Sequence, residues 1–422
     1  MTPLLRVLQS RNYRLFFAGQ AATVIGMWMQ MTAQQWLMYR LTDSAFAVAV
    51  LAAAQTGPGL VVGPFAGALA DRHSRRRLIM LLQALSLIPA FALALLTLSG
   101  LIDALQIVLL ALASGVLRAA EIPIRQSFIP ELVERESLLN AIALNSALFN
   151  SARVVGPALA GAVMLVASEG WCFLVNAVAF LGPVAALSAM RLPDPPALPH
   201  ARRSMFSDVL EGMRYVRGEP FVRTLLAGLA VASGCGAYMI LLPGLASEVL
   251  GGGSGTFSAL TSAVGVGSIA TALVLASRQG TAGLERITAL GYALFGAAIL
   301  LLSLATSVAV ALPLAALIGA GAMGLLTTTN TLLQLRVPDR LRGRVMSLHS
   351  ALFLGVTPLG SLAAGQAADA FGATRALAAC GALVLVGSVY FGRQLLRHAL
   401  AAEPSPLEPV PAAIEADSTS RG

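Results

Sequence analysis

Apolar residues run along this chain in blocks of similar length. Largely uncharged stretches recur at about 15–39, 45–70, 78–99, 105–124, 139–167, 171–190, 223–249, 256–276, 287–307, 310–334, 345–368 and 374–396. A helix needs about 20 apolar residues to cross the hydrocarbon core of a bilayer, so the pattern predicts twelve transmembrane helices, spans 1 to 12. The longest internal connector, near 191–222, carries Pro193, Pro195, Pro196 and Pro199, then Arg202 and Arg203, and divides the spans six and six. The expected organisation is a six-helix bundle over 1–191, a cytoplasmic linker over 192–222 and a second six-helix bundle over 223–396. Within the linker, Met205 to Arg223 has the pattern of an amphipathic surface helix. The tail over 397–422 contains Pro404, Pro406, Pro409 and Pro411 without a packable pattern and is expected to be disordered.

Composition makes lipid the natural solvent. The chain has 422 residues, 57% hydrophobic and 11% charged, with a mean hydropathy of +0.79. Soluble domains average about 25% charged residues, and a single soluble core stops growing near 250–300 residues, roughly. The formal charge is +8 and all 28 basic residues are Arg. They punctuate the apolar runs instead of gathering on one solvated face, so no nucleic-acid partner is expected. Arg6, Arg11 and Arg14 lead into a full-length span and not into a short cleavable signal. With the N-terminus inside, 24 Arg fall on the cytoplasmic side, only Arg40 and Arg375 fall outside, and Arg118 and Arg153 lie within spans. Retention of basic loops in the cytoplasm then predicts a multi-pass protein of the inner (plasma) membrane with both termini cytoplasmic.

Several chemistries are disfavoured. A built-in ATP motor needs a Gly-rich loop ending in Lys, and this chain has no Lys. The four His (His73, His200, His349, His398) are isolated, and Cys172, Cys235 and Cys380 have no metal-ligand or disulfide spacing, so neither an enzyme nor a metal site is expected.

The two halves echo each other. Leu144-Asn145-Ser146-Ala147-Leu148-Phe149 in span 5 returns as Leu348-His349-Ser350-Ala351-Leu352-Phe353 in span 11, and the same offset pairs Gly156 with Gly360 and Gly161 with Gly365. Spans 5 and 11 run in the same direction, so the halves are expected to be parallel repeats about an axis along the membrane normal. The fold class is therefore an all-α membrane protein, twelve transmembrane helices in two parallel-repeat six-helix bundles.

The stretch Gly67-Ala68-Leu69-Ala70-Asp71-Arg72-His73-Ser74-Arg75-Arg76-Arg77 between spans 2 and 3 resembles the signature loop of the major facilitator superfamily, G-x-L-A-D-R-x-G-R-R, with Ser74 in place of Gly. Glu121-Ile122-Pro123-Ile124-Arg125-Gln126, Pro130-Glu131-Leu132-Val133, the run Ala152 to Gly161, and Leu341-Arg342-Gly343-Arg344-Val345-Met346-Ser347 are similar to its branch of drug and siderophore exporters. The resemblance covers residues 10–396. It implies a secondary active transporter that exports a small amphipathic molecule by alternating access, with a proton gradient in antiport as the driving force, no bound cofactor, and a monomer in the bilayer. It places a latch that braces the halves on Asp71, Arg72 and Arg76; Ser277 stands where the second half would carry the acid. A lipid flippase of the same superfamily is the alternative within transport. A non-transporting membrane sensor or assembly partner is the alternative outside it.

Ionisable residues inside spans are costly and are the default site candidates. Arg118 and Glu121, three apart on span 4 beside Pro123, are expected to pair along one helix face and to serve as a gate, with Glu121 also a candidate proton carrier. Ser146, Asn150, Arg153 and Pro157 share a face of span 5. Arg153, about ten residues into that span and so about 15 Å deep, is expected to be a cationic spot for an anionic or strongly hydrogen-bonding substrate, or else a structural Arg satisfied by carbonyls. Gln20, Met27, Gln30, Met31 and Gln34 on span 1, with Thr327 to Thr331, Asn330 and Gln334 on span 10, are the expected cavity lining. Gly156, Pro157 and Gly161 resemble the antiporter motif of the family and are expected to bend span 5.

Overall fold

The computed structural model describes residues 7–70, 73–190, 205–278 and 280–402. Asp71 and Arg72 of the expected latch and the tail beyond Ala402 lie outside the described residues. Each predicted span is helical. Span 1 is Arg11–Thr42, span 3 Arg75–Leu98, span 4 Ala104–Phe128, span 5 Leu138–Val166, span 8 Ser254–Ser277, span 9 Leu284–Leu302, span 10 Val308–Arg336, span 11 Asp339–Phe371 and span 12 Ala373–Ala402. Three are interrupted: span 2 into Ala45–Thr56 and Pro58–Ala70, span 6 into Glu169–Ala179 and Leu181–Ala189, and span 7 into Pro220–Cys235, Tyr238–Gly244 and a wider turn over Leu245–Val249. Eleven of the twelve are long and apolar enough to cross a membrane. The exception is span 1, which is 32 residues long but carries Gln20, Gln30, Gln34 and Gln35, all buried. A helix this polar stays in a membrane protein by turning its amides into the bundle.

The linker differs from its predicted extent. The surface helix is Met205–Gly218, and span 7 begins at Pro220. Proline suits the first helical position, where its missing N–H is not needed, so the helix starts before the apolar run does. The linker helix is tied to the second half by an ion pair between Glu211 and Arg344.

The glycine echo becomes a packing pattern. A Cβ on Gly156 would lie 2.4 Å from Trp28 Cβ on span 1, and one on Gly360 would lie 2.1 Å from the Gly234 carbonyl oxygen on span 7. A Cβ on Gly161 would lie 2.7 Å from Ser258 Cβ on span 8, and one on Gly365 would lie 2.8 Å from Phe46 Cα on span 2. Spans 5 and 11 therefore each use their first glycine to approach a helix of their own half and their second to approach a helix of the other half. Small residues allow this closeness where lipid offers no hydrophobic drive between helices. Span 5 runs as one continuous helix from Leu138 to Val166 with Pro157 inside it, and Gly156 and Gly161 give it close approach to its neighbours.

Polar contacts join the halves on the face opposite the N-terminus, here the far face. Asp369, near the end of span 11, accepts the backbone N–H of Ala45 at 2.7 Å and the Ser44 hydroxyl at 2.5 Å. The Tyr39 hydroxyl donates to the Glu248 carboxylate, and Trp36 stacks on Phe257 with ring centroids 6.1 Å apart. Nearer the other face, nothing lies within 4 Å of where a Cβ would stand on Gly59 or Gly63, which line an open space. The halves meet on the far side and separate on the near side.

Candidate substrate cavity

A cavity of about 490 Å³ lies on the near side of this closure, and of its lining residues all but Leu354 come from the first half. Span 1 supplies Gln20, Met27, Trp28, Gln30, Met31 and Gln34, spans 2 and 3 supply Gln55 and Gln83, and span 6 supplies Asn176 and Phe180. Span 4 adds Arg118, Glu121 and Arg125, the three charged residues of the lining, and span 5 adds Phe149.

The amides are partly tied to each other. Gln55 Nε2 donates to Gln34 Oε1 at 3.1 Å, and Asn176 Nδ2 donates to Gln30 Oε1 at 2.7 Å. Five buried polar atoms of the lining have no hydrogen-bond partner: Gln20 Nε2, Trp28 Nε1, Gln83 Oε1, Arg125 Nε and Asn176 Oδ1. An unsatisfied buried polar group costs about 1–3 kcal/mol, so this wall is organised for something other than its own packing. Met27, Met31, Phe149 and Phe180 supply adaptable apolar surface beside it.

The charges on span 4 are not partnered as the sequence predicted. Arg118 and Glu121 do not form an ion pair. Arg118 Nη2 donates to the Gln55 carbonyl oxygen at 2.6 Å, and Nη1 approaches Met31 Sδ at 3.5 Å. That carbonyl is available because span 2 is interrupted at Gly57–Pro58. Gly115, one turn before Arg118, permits the approach, since a Cβ there would stand 2.6 Å from the Ala54 carbonyl oxygen. Glu121 pairs instead with Arg125, 3.4 Å away, and accepts from Gln83 Nε2 at 3.0 Å. The Arg125 guanidinium also lies over the Phe149 ring, 4.6 Å from its centroid.

Of the sequence candidates, Met27, Gln30 and Gln34 line the cavity together with Arg118 and Glu121; Ser146, Asn150, Arg153 and Asn330 do not. Arg153 sits behind the wall, its guanidinium 5.7 Å from the Trp28 ring centroid, and Asn150 bonds back to the Ser146 carbonyl oxygen of its own helix at 2.9 Å. Of the threonines of span 10, Thr328 and Thr329 are buried in the second half, where Thr328 meets Thr288 of span 9 at 2.7 Å. Asn330 accepts from Gln334 at 2.5 Å on an exposed stretch. Arg125, Gln83, Gln55 and Asn176 were missed by sequence reasoning, although Arg125 follows Glu121 at helical spacing and the other three are lone amides within apolar spans.

The loop between spans 2 and 3 is anchored within the first half. Arg76 donates to the carbonyl oxygens of Leu187 at 2.7 Å and Ser188 at 3.2 Å, a cation at the C-terminal end of span 6. Arg75 pairs with Glu131 after span 4. The second half holds the corresponding pair with its signs exchanged, Glu285 at the start of span 9 with Arg336 at the end of span 10, 3.2 Å apart.

Two six-helix halves closed on one face over a polar and apolar cavity define a major facilitator transporter, and solved structures share the fold. A bacterial homologue of the lysosomal transporter Spinster, in an inward-facing conformation, aligns with a TM-score of 0.65 at 16% identity over 94% of this chain and 99% of that one. A bacterial homologue of ferroportin, inward-facing, aligns at 0.69 and 16% identity over 90% of this chain and 98% of that one. Within that class the chain belongs to the transmembrane secretion effector family, which it matches over residues 3–421. Among curated relatives it is 27% identical to the staphyloferrin A transporter of Staphylococcus aureus over 87% of this chain and 92% of the relative. It is 28% identical to the multidrug efflux pump Tap of Mycolicibacterium fortuitum over 84% and 87%, and 28% identical to the enterobactin exporter EntS of Shigella boydii over 56% of each chain.

Proposed function

We propose that this protein exports small amphipathic molecules of the siderophore or drug type, by alternating access and in exchange for protons. The observation that carries the reading is the cavity itself, open toward the near face and shut off from the far face by the contacts of Asp369, Glu248, Gly161 and Gly365. The Arg-rich loops support a cytoplasmic near face, and on that reading this is the state that loads cargo from inside. Staphyloferrin A, drugs and enterobactin are the cargoes named for the relatives. The mixed lining of amides, thioethers and aromatic rings fits molecules of that kind.

Export then requires the far-face contacts to part while the near ends of spans 4, 5, 10 and 11 come together. The loop of Asp71, Arg72 and Arg76 is proposed to brace that second state. Glu121, held by Arg125 and Gln83, is proposed as a gate residue that sets where span 4 stands. The experiment is efflux from everted vesicles or proteoliposomes under an imposed pH gradient. Cargo accumulation that depends on the gradient is expected; accumulation unaffected when it is collapsed would remove proton exchange, and none under any gradient would remove transport.

A further inference from the structure

We propose that the cavity binds an anionic ligand and that Arg118 is the residue that receives its acidic group. The inference rests on the reading of this cavity as the cargo site. It begins with the charges in the lining: Arg118, Glu121 and Arg125. One carboxylate, Glu121, stands against two guanidiniums, so the lining carries a net charge of one positive; Glu121 is in contact with Arg125 at 3.4 Å, with side chains only 14% and 11% exposed, and acts on Arg118 through space. Arg118 is the guanidinium of the lining with no carboxylate in contact; its contacts are a carbonyl oxygen and a thioether sulfur. Neither carries a negative charge. A guanidinium has five N–H donors, and these two contacts engage one on each Nη, which leaves three donors for a carboxylate or catecholate.

The neighbouring wall points to the rest of the ligand. Gln20 Nε2 and Trp28 Nε1 are unpartnered donors and Gln83 Oε1 an unpartnered acceptor, with Gln20 and Gln83 only 2% and 1% exposed. The ligand class is therefore a carboxylate- or catecholate-bearing molecule with further hydrogen-bonding groups and an apolar or aromatic portion. A permanent cation meets repulsion at Arg118 and finds Glu121 already in contact with Arg125.

Glu121 pairs with Arg125 and accepts from Gln83, so it holds Arg125 in the wall and is a positioning residue for this site.

The test uses the purified full-length protein in lipid nanodiscs and equilibrium dialysis with three probes: 3-hydroxy-2-naphthoate, its uncharged carboxamide, and the tetraphenylphosphonium cation. The naphthoate is expected to bind at least tenfold more tightly than either of the others. Arg118→Gln should weaken the naphthoate at least tenfold and the carboxamide less than twofold. Arg118→Lys should recover only part, because it keeps the charge and loses the fork. Glu121→Gln should tighten the naphthoate severalfold, a gain of function that no folding defect imitates. Equal weakening of naphthoate and carboxamide by Arg118→Gln, tighter binding of the cation, or no naphthoate binding to the unaltered protein would each overturn the proposal. Arg118-dependent naphthoate binding without solute flux in proteoliposomes would overturn the transport reading and leave the anion site standing. Flux of cations or neutral solutes unchanged by Arg118→Gln would do the reverse.

Discussion

Asp369 of span 11 accepts the backbone N–H of Ala45 at 2.7 Å, so a carboxylate from the second half caps the first turn of span 2 in the other half. A helix N-terminus presents unpaired N–H groups and a partial positive charge, and here the cap exists only while the far face is closed. Ser44 remains the N-cap of this helix in an Asp369 variant, so the loss is that of an anion at a helix N-terminus, about 0.3–1 kcal/mol, which is roughly 2- to 5-fold in the equilibrium between closed and open. Asp369→Ala should therefore shift the protein toward the far-open state. Leu165→Cys with Gly255→Cys places two thiols where Leu165 Cδ2 stands 3.3 Å from a Cβ on Gly255. Their cross-linking should fall in the Asp369→Ala background, and unchanged cross-linking would show that the cap does not hold the gate.

The paired glycines predict two different defects. Gly156→Ala adds a methyl 2.4 Å from Trp28 Cβ inside one half, so it should lower the yield and thermal stability of the folded protein. Gly161→Ala adds one 2.7 Å from Ser258 Cβ across the halves. That clash is relieved by opening the far face, so the protein should stay folded while far-face cysteines become more accessible to impermeant maleimide. Equal loss of folded protein from both variants would refute the distinction.

Glu121→Gln removes the charge that holds Arg125 but leaves the Gln83 contact a polar partner. Proton-driven efflux should continue, with altered cargo affinity instead of lost coupling. Abolished response to the pH gradient with cargo binding intact would identify Glu121 as the proton carrier after all.

The signature loop gives a paired prediction. Arg76→Gln loses two bonds to the C-terminal carbonyls of span 6, at about 1.5–3 kcal/mol for a bond to a charged group, and should destabilise the first half in thermal melts. Asp71→Asn should leave the melting temperature unchanged and impair transport, because its charge is assigned to the other conformation. Wild-type flux from Asp71→Asn would reduce the loop to a topology signal.

The Arg distribution predicts that cysteines placed at Arg202, near the start and in the tail are all labelled from the cytoplasm, with twelve crossings between the ends. Labelling of the Arg202 position from outside would reverse the direction assigned to the cavity.

The sequence by itself determined the number and approximate places of the spans, because the length of an apolar run against bilayer thickness is a one-dimensional property; their ends and the interruptions of spans 2, 6 and 7 came from the structure. It also determined the repeat register, since Gly156 and Gly161 recur as Gly360 and Gly365 and the glycine contacts follow that register. Helical spacing on span 1 was enough to group Met27, Gln30 and Gln34, because one helix carries its own geometry. What the tertiary structure decided is which partner each charge takes. Spacing allowed Glu121 to reach Arg118 or Arg125 equally. The choice was made by the Gln55 carbonyl, freed at the interruption of span 2 and brought within reach by Gly115, which drew Arg118 away and left Arg125 to Glu121. The rotation of span 5 likewise put Arg153 beside Trp28, and the packing of span 10 on span 9 buried Thr328 and Thr329. A polar residue in a span must face protein, but which neighbour it faces depends on helix rotations that no single span encodes.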